Sequence, residues 1–256
     1  MNTLHLHHLE NSRSFRIIWL LEELKLDYQL TTYERKHGLA PKAMQRIHPL
    51  GKSPILQDGD TALVESAHII EHVIDHYDTR LQQGGQRHIP TVSDDAPNDD
   101  IMLAMVKDKQ LRPDYGTAAY EQYRYWLHFT ESSLMPLRMI SLMFAIAAKK
   151  SPIGIKQVAQ LLHRGVKESY LNQSSEQHLQ FLNQHLGKHA WLAGTQFSGA
   201  DIHMEFVVNA MVQSGDLPVK YTHIHNWLKK CHARPAYQQA VEKGGAMTLN
   251  LLSRSD

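Results

Sequence analysis

Three short stretches of this 256-residue chain carry side chains whose types and spacing suit chemistry on a small polar molecule. The first is Asn11-Ser12-Arg13-Ser14-Phe15-Arg16, where two hydroxyls precede a run of helical period. A hydroxyl donor beside the positive end of a helix favours an anion over its protonated form. Ser12 and Ser14 both fit, with Ser14 the better helix cap by position. The second stretch is Ser53-Pro54, opening the apolar pair Ile55-Leu56. Proline donates no ladder hydrogen bond, so it suits the first residue of a strand, and a cis peptide is accessible there. A cis bond would turn the Ser53 backbone outward, leaving its N–H and C=O for an extended peptide. The third is Glu65-Ser66, where a second apolar run, Ala62 to Val64, gives way to a helix. Free N–H groups at a helix start attract a carboxylate, and Ser66 can cap.

Other chemistry is less well supported. The single cysteine, Cys231, excludes an intramolecular disulfide and suits a reducing compartment. Of the eighteen histidines, His68, His72 and His76 recur every four residues. That spacing could chelate, but no acidic or cysteine partner is spaced to complete a site, so the stripe reads as an exposed or subunit-facing surface with no metal. Lys and Arg total 27 against 26 Asp and Glu, a net charge of +1, which gives no electrostatic case for nucleic acid or an anionic membrane. The alternating Thr3 to His7 directly after Met1-Asn2, with no apolar run of membrane-spanning length, predicts a soluble, cytoplasmic protein.

The elements that must position these stretches follow from periodicity. Thr3 to His7 alternates as a half-buried strand. Ser14 to Leu24 groups Phe15, Ile18, Trp19, Leu21 and Leu24 on one helical face. Tyr28 to Tyr33 is a second strand, and Leu39 to Ile47 a short irregular helix. Asp58-Gly59-Asp60 between the two apolar runs marks a β-hairpin, followed by a helix from Ala67 to Tyr77. Residues 81–110 then break the pattern with Gln, Gly, Pro and acidic pairs, reading as a linker or insertion. Beyond it helices dominate. Tyr120 to Leu134 is one, with Pro136 expected to kink or interrupt it before Leu137 to Ala148. Ile155 to Leu186 is another, with Val158, Leu161, Leu162, Val166, Leu171, Leu179 and Leu182 expected towards a core. Ser198-Gly199-Ala200-Asp201 is a capping box opening Ile202 to Val212. Helices over Tyr221 to Cys231 and Pro235 to Glu242 complete the series, with a loosely docked tail.

The order and spacing of Ser53-Pro54 and Glu65-Ser66 resemble the glutathione-binding half of the glutathione transferase family, and Ser12 through Leu24 resembles its serine-type fungal and bacterial members. The resemblance implies an α/β thioredoxin-like N-terminal domain (1–80), a linker with an insertion (81–112) and an all-α C-terminal domain (113–256). It implies Ser12, counted back from Arg16, as the catalytic serine that stabilises the glutathione thiolate. It further implies Glu65 and Ser66 at the γ-glutamyl end, Ser53 and Pro54 at the cysteinyl unit, and His48 and Lys52 near the glycyl carboxylate. Thioredoxin-like redox proteins carry cysteines where this chain has Ser-Arg-Ser-Phe, so exchange through a protein cysteine is unavailable.

Glutathione as co-substrate, a small hydrophobic electrophile and a second copy of the chain are therefore the expected partners. Tyr115, Tyr123 and Trp126 are candidates for an electrophile pocket. Glutathione-dependent peroxide or disulfide reduction, and non-catalytic glutathione binding by a regulator, remain alternatives on the same scaffold.

Overall fold

The computed structural model describes residues 3–36, 39–78, 110–152 and 154–248. The expected insertion, residues 81–110, lies outside the described residues apart from Gln110, as does the tail beyond Thr248.

The first half is a four-stranded sheet with helices. Strand β1 (Leu4–Leu9) leads into helix α1 (Phe15–Glu23), then β2 (Tyr28–Tyr33), a 3-10 turn (Lys42–Arg46), the hairpin β3 (Ile55–Asp58) and β4 (Thr61–Val64), and helix α2 (Ser66–Tyr77). The sheet order is β2-β1-β3-β4, with β1 parallel to β2 and antiparallel to β3. This is the expected thioredoxin-like arrangement. The hairpin turn is tighter than the sequence suggested, because Gly59 takes φ 59° and lets Asp58 pair with Thr61.

The second half is helical: α3 (Ala118–Phe129), α4 (Met135–Lys150), α5 (Lys156–Val166), α6 (Asn172–Lys188), α7 (Gly199–Gln213), α8 (Thr222–His232) and α9 (Pro235–Gly244). Pro136 does not interrupt the first of these. Its missing N–H is absorbed by a π-helical turn, Thr130–Leu134, that joins α3 to α4. The resulting 33-residue helix, Ala118–Lys150, is long and apolar enough to cross a bilayer by length and composition, contrary to expectation. Its N-terminal part packs Tyr123, Trp126 and Leu127 into the core. A second π turn, Lys167–Leu171, joins α5 to α6. Here the expected core assignment fails: Val158, Leu161 and Leu162 are exposed, whereas Leu171, Leu179 and Leu182 are buried. The period was right, but α5 packs on α4 and this face is left uncovered.

One hydrophobic cluster runs through both halves, from Leu4 and Trp19 to Val207 and Trp227. Trp19 meets Tyr237 edge-on at 5.0 Å and Phe197 at 5.5 Å, so α1 is seated on α9 and the loop before α7. Gly199 allows α7 to approach α2, since a Cβ there would lie 2.8 Å from both Ile70 and Ile74. Leu111 ties the same junction, its N–H donating to buried Asp78 at 3.1 Å and its carbonyl accepting from Gly199 at 2.8 Å.

Candidate active site

Sheet topology gathers the three chemistry-bearing stretches. His7 pairs with Ile55, and Ile55 pairs with Val64. Ser12 just after β1, Ser53-Pro54 just before β3 and Glu65-Ser66 just after β4 therefore lie at the same end of the sheet. The antiparallel hairpin does this: it returns the chain so that one strand's start and the next strand's end share an edge.

The β1–α1 turn is held by hydroxyls. Asn11 takes a left-handed backbone (φ 52°), which aims the chain into Ser12. Ser12 Oγ lies 2.8 Å from Ser14 Oγ and 2.8 Å from Ser53 Oγ. Ser12 keeps 7% of its surface and Ser14 none, so of the two only Ser12 reaches the surface at all. Ser14 does precede α1, as a cap should, yet its side chain makes no cap bond to that helix. It accepts instead from the Leu9 N–H at 3.1 Å and faces His8 Nδ1 at 2.8 Å. His8, one residue beyond the alternating Thr3 to His7, is itself only 1% exposed.

The remaining expected residues fall into two groups. The Ser53-Pro54 bond is cis and Pro54 is buried at the head of β3. Glu65 is exposed at the start of α2 with φ 70°, and Ser66, the first residue of that helix, is buried with no hydrogen-bond partner for its Oγ. A buried hydroxyl without a partner is costly unless something else supplies one, and a carboxylate seated on the helix start would do so. The residues present thus fit the γ-glutamyl end of glutathione. His48, in contrast, accepts the Leu50 N–H at 3.3 Å as a turn residue, and Lys52 is an exposed loop charge.

The expected electrophile pocket is not assembled. Tyr123 and Trp126 are fully buried core side chains, Trp126 stacked on Phe181 at 5.5 Å, whereas Tyr115 is 84% exposed in the loop before α3. An aromatic set at helical spacing has here gone to the core. A cavity of about 260 Å³ does exist, but it lies far along the helical half between Arg138, Lys167, Leu171, Met211 and Tyr221 and shares no residue with this site.

What faces α1 across the junction is a charged cluster that only Arg13 and Arg16 announced. Arg16 is fully buried and donates to Glu131 at 2.6 Å; Arg13 reaches the same carboxylate at 3.3 Å. Burial alone would raise the Glu131 pKa, but the two guanidinium charges overcome it and hold it below the usual range. His203, buried on α7, has its pKa driven well down by burial and by Arg16 and Arg13, so it stands neutral beside them. Glu131 lies within the π turn Thr130–Leu134, a register change that helical periodicity does not reveal.

The histidine stripe bonds within its own chain. His72 Nε2 meets Asp58 at 2.8 Å, His76 Nδ1 meets the His72 carbonyl at 2.8 Å and His68 Nδ1 the Val64 carbonyl at 3.2 Å. Among the described residues, no group of three or more His, Cys, Asp or Glu is arranged to hold a metal. Cys231 is buried and its thiol pKa is pushed well up by that burial, which leaves it unreactive.

Residues 6–83 match the family model for the glutathione S-transferase N-terminal domain, and residues 135–235 that for the C-terminal domain. Over 248 residues the chain is 34% identical to Glutathione S-transferase 3 of Schizosaccharomyces pombe, covering 97% of this chain and 90% of that protein. The crystal structure of a glutathione S-transferase from Actinobacillus pleuropneumoniae superposes with a TM-score of 0.70 at 30% identity, covering 99% of this chain and 97% of that one. A glutathione transferase homologue from Lodderomyces elongisporus, solved with two GSH per subunit, shares the fold with a TM-score of 0.67 at 16% identity, covering 95% of this chain and 99% of that one. The chain belongs to the glutathione S-transferase family.

Proposed function

We propose that this protein is a cytoplasmic glutathione transferase that holds the glutathione sulfur as a thiolate against Ser12 for attack on a hydrophobic electrophile. The observation that carries this reading is the gathering of the Ser12 hydroxyl, the cis-proline loop and an unsatisfied helix start at one end of the sheet. A free thiol ionises near pH 8.5 and only the thiolate is a useful nucleophile. Ser12 donates a hydrogen bond to the sulfur, and the start of α1 adds its positive end. Glu65 takes the γ-glutamyl ammonium, and Ser66 with the N–H groups of α2 takes the neighbouring carboxylate. In the reaction the sulfur forms a bond to the electrophilic carbon and the leaving group departs with its electron pair; no protein covalent intermediate is required.

Replacement of Ser12 tests this. A hydrogen bond to a charged group contributes roughly 1.5–3 kcal/mol, so Ser12→Ala should raise the apparent pKa of bound glutathione by about one to two units. Conjugation of an aryl halide should fall accordingly while glutathione still binds. Wild-type rates in Ser12→Ala would sink the assignment. Turnover of peroxide without conjugation would redirect it to reduction, and binding without either activity to a regulator.

The assembly proposed with this function is a homodimer in which α2 and α3 meet their copies across a two-fold axis. Sedimentation at micromolar concentration checks it, and a monomer there would refute it.

A further inference from the structure

The Ser12 hydroxyl is one end of a buried chain that terminates at a base. Ser12 Oγ meets Ser14 Oγ at 2.8 Å, Ser14 Oγ meets His8 Nδ1 at 2.8 Å, and His8 Nε2 meets the Gly244 carbonyl at 3.0 Å. A carbonyl only accepts, so Nε2 carries the imidazole proton. Burial lowers the His8 pKa, against which the Gly244 bond works, so the ring is neutral at neutral pH and its Nδ1 accepts. The Ser14 O–H then donates to Nδ1, and the Ser14 oxygen, which already accepts the Leu9 N–H at 3.1 Å, can accept the Ser12 O–H. Ser12 Oγ also meets Ser53 Oγ at 2.8 Å, which can donate to it from the outer side. With Ser14 accepting the Ser12 O–H, the protons of the chain point inward, away from the place where a sulfur would sit.

That resting direction conflicts with the role proposed for Ser12. If the Ser12 proton turned outward to a thiolate while His8 stayed neutral, two oxygens would face each other at 2.8 Å without a proton between them. Alternatively the Ser14 proton would turn to Ser12 and leave buried Nδ1 without a partner. Both are unfavourable in a dry site. One further proton at His8 removes the conflict by reversing the whole chain.

We infer that His8 takes up the thiol proton of glutathione through Ser14 and Ser12, acting as a positioning residue for the thiolate. This rests on the reading of Ser12 as the sulfur's donor. The S–H bond breaks as its proton passes to Ser12 Oγ; the original Ser12 proton passes to Ser14 Oγ; the original Ser14 proton passes to His8 Nδ1. The sulfur keeps the electron pair. The product is a thiolate accepting from Ser12, which accepts from Ser14, which accepts from an imidazolium held at its far side by Gly244. No atom is gained or lost, and no oxidant is involved.

The surroundings suit the assignment. The charged groups on the elements around His8 are engaged elsewhere: on α1, Arg13 and Arg16 with Glu131, Glu22 with Lys243 and Tyr28, Glu23 with Arg234 and Trp19. On β1, His7 bonds to Tyr33 of β2 and to Gln57 of β3; on α9, Tyr237 donates to Glu205, and Glu242 is exposed. The bound thiolate, roughly 8 Å away along three hydrogen bonds, is thus the charge to which His8 responds, and at that range an anion lifts a base by about one pKa unit. The α9 end is also shaped for the contact: a Cβ at Gly244 would lie 2.4 Å from Ile18 Cδ1 and 3.5 Å from His8 Nε2. Thr248 N–H returns to Asn11 Oδ1 at 2.7 Å, so the chain after α9 braces the same turn twice.

Nitrogen-15 NMR of the histidine rings in the full chain, with the His8 signal identified by its loss in His8→Asn, reads the proton directly. Glutathione should convert His8 from neutral to imidazolium near neutral pH, S-methylglutathione should not, and Ser14→Ala should abolish the conversion while bound glutathione still shows its thiolate absorbance at higher pH. A thiolate forming in wild type with His8 still neutral overturns the inference and leaves the proposed function standing. If glutathione binds without ionising and Ser12→Ala changes nothing, the proposed function fails and the inference falls with it.

Discussion

Helices α2 and α7 both open with an acid and a serine, yet the two starts end in opposite states. At α7 the Asp201 carboxylate is fully buried and accepts the Ser198 N–H and O–H at 3.0 Å each, the Leu192 N–H at 3.0 Å and the Trp227 Nε1–H at 2.8 Å. Burial raises its pKa even against those four donors. At α2 the Ser66 hydroxyl is buried with no partner, and Glu65 stands exposed on a left-handed backbone. The difference lies in what surrounds each start. The loop from Trp191 to Phe197 and the Trp227 ring close over α7, whereas the end of the sheet leaves α2 open. A saturated acid at a helix start is a structural rivet; an open start has donors left over, which is what the proposed glutathione site needs.

Removing the rivet should produce the largest effect. Asp201→Ala strands four buried donors, and each costs roughly 1–3 kcal/mol when left unmade, so the chain should lose roughly 3 kcal/mol or more of stability. Denaturant unfolding reads this, and glutathione affinity of the folded fraction should be unchanged. Preserved stability would erase the contrast between the two starts. At the open start the effects should be inverted. Glu65→Gln should weaken glutathione binding by roughly 1–3 kcal/mol, the scale of a charge-assisted hydrogen bond, while stability stays within about 0.5 kcal/mol, as for most surface changes. Ser66→Ala should also cost affinity and leave stability unchanged, because it deletes an orphaned hydroxyl. Calorimetric titration with equal affinities in both variants would move the γ-glutamyl end elsewhere.

Both helix starts were legible in the sequence, and for the same reason: caps and turn residues act over three or four positions, so their order is written locally. The sheet order and the gathering of Ser12, Ser53 and Glu65 were legible too, through resemblance. Tertiary burial was not. Tyr123 and Trp126 had the spacing of a pocket and became core, and Leu161 and Leu162 had the spacing of core and became surface. Helical period says which side chains share a face, never what covers that face. His8 was missed because its partners, Ser14 and Gly244, are 6 and 236 residues away. Glu131 was missed because a π turn altered the helical register that would have pointed to it.

Glu131 sits between the two extremes, since its carboxylate is paired with Arg16 and Arg13 yet remains one-third exposed at the edge of the site. Its pKa is below the usual range, burial opposing and the two arginines prevailing. A carboxylate whose folded-state pKa is depressed contributes stability above its unfolded value, near 4.3. That contribution is lost as pH falls through the lower folded value. The pair is partly open to solvent, so the effect on stability should be well below that of Asp201→Ala. Glu131→Gln should therefore unfold at a lower temperature than wild type at neutral pH, and the gap should close below about pH 4, where wild type is itself protonated. Comparing the two chains across the pH range cancels the other carboxylates. The absence of any gap at neutral pH would mean that the buried Arg16 is held by its packing on Phe206, 4.9 Å from the ring centre, and not by the charge it faces.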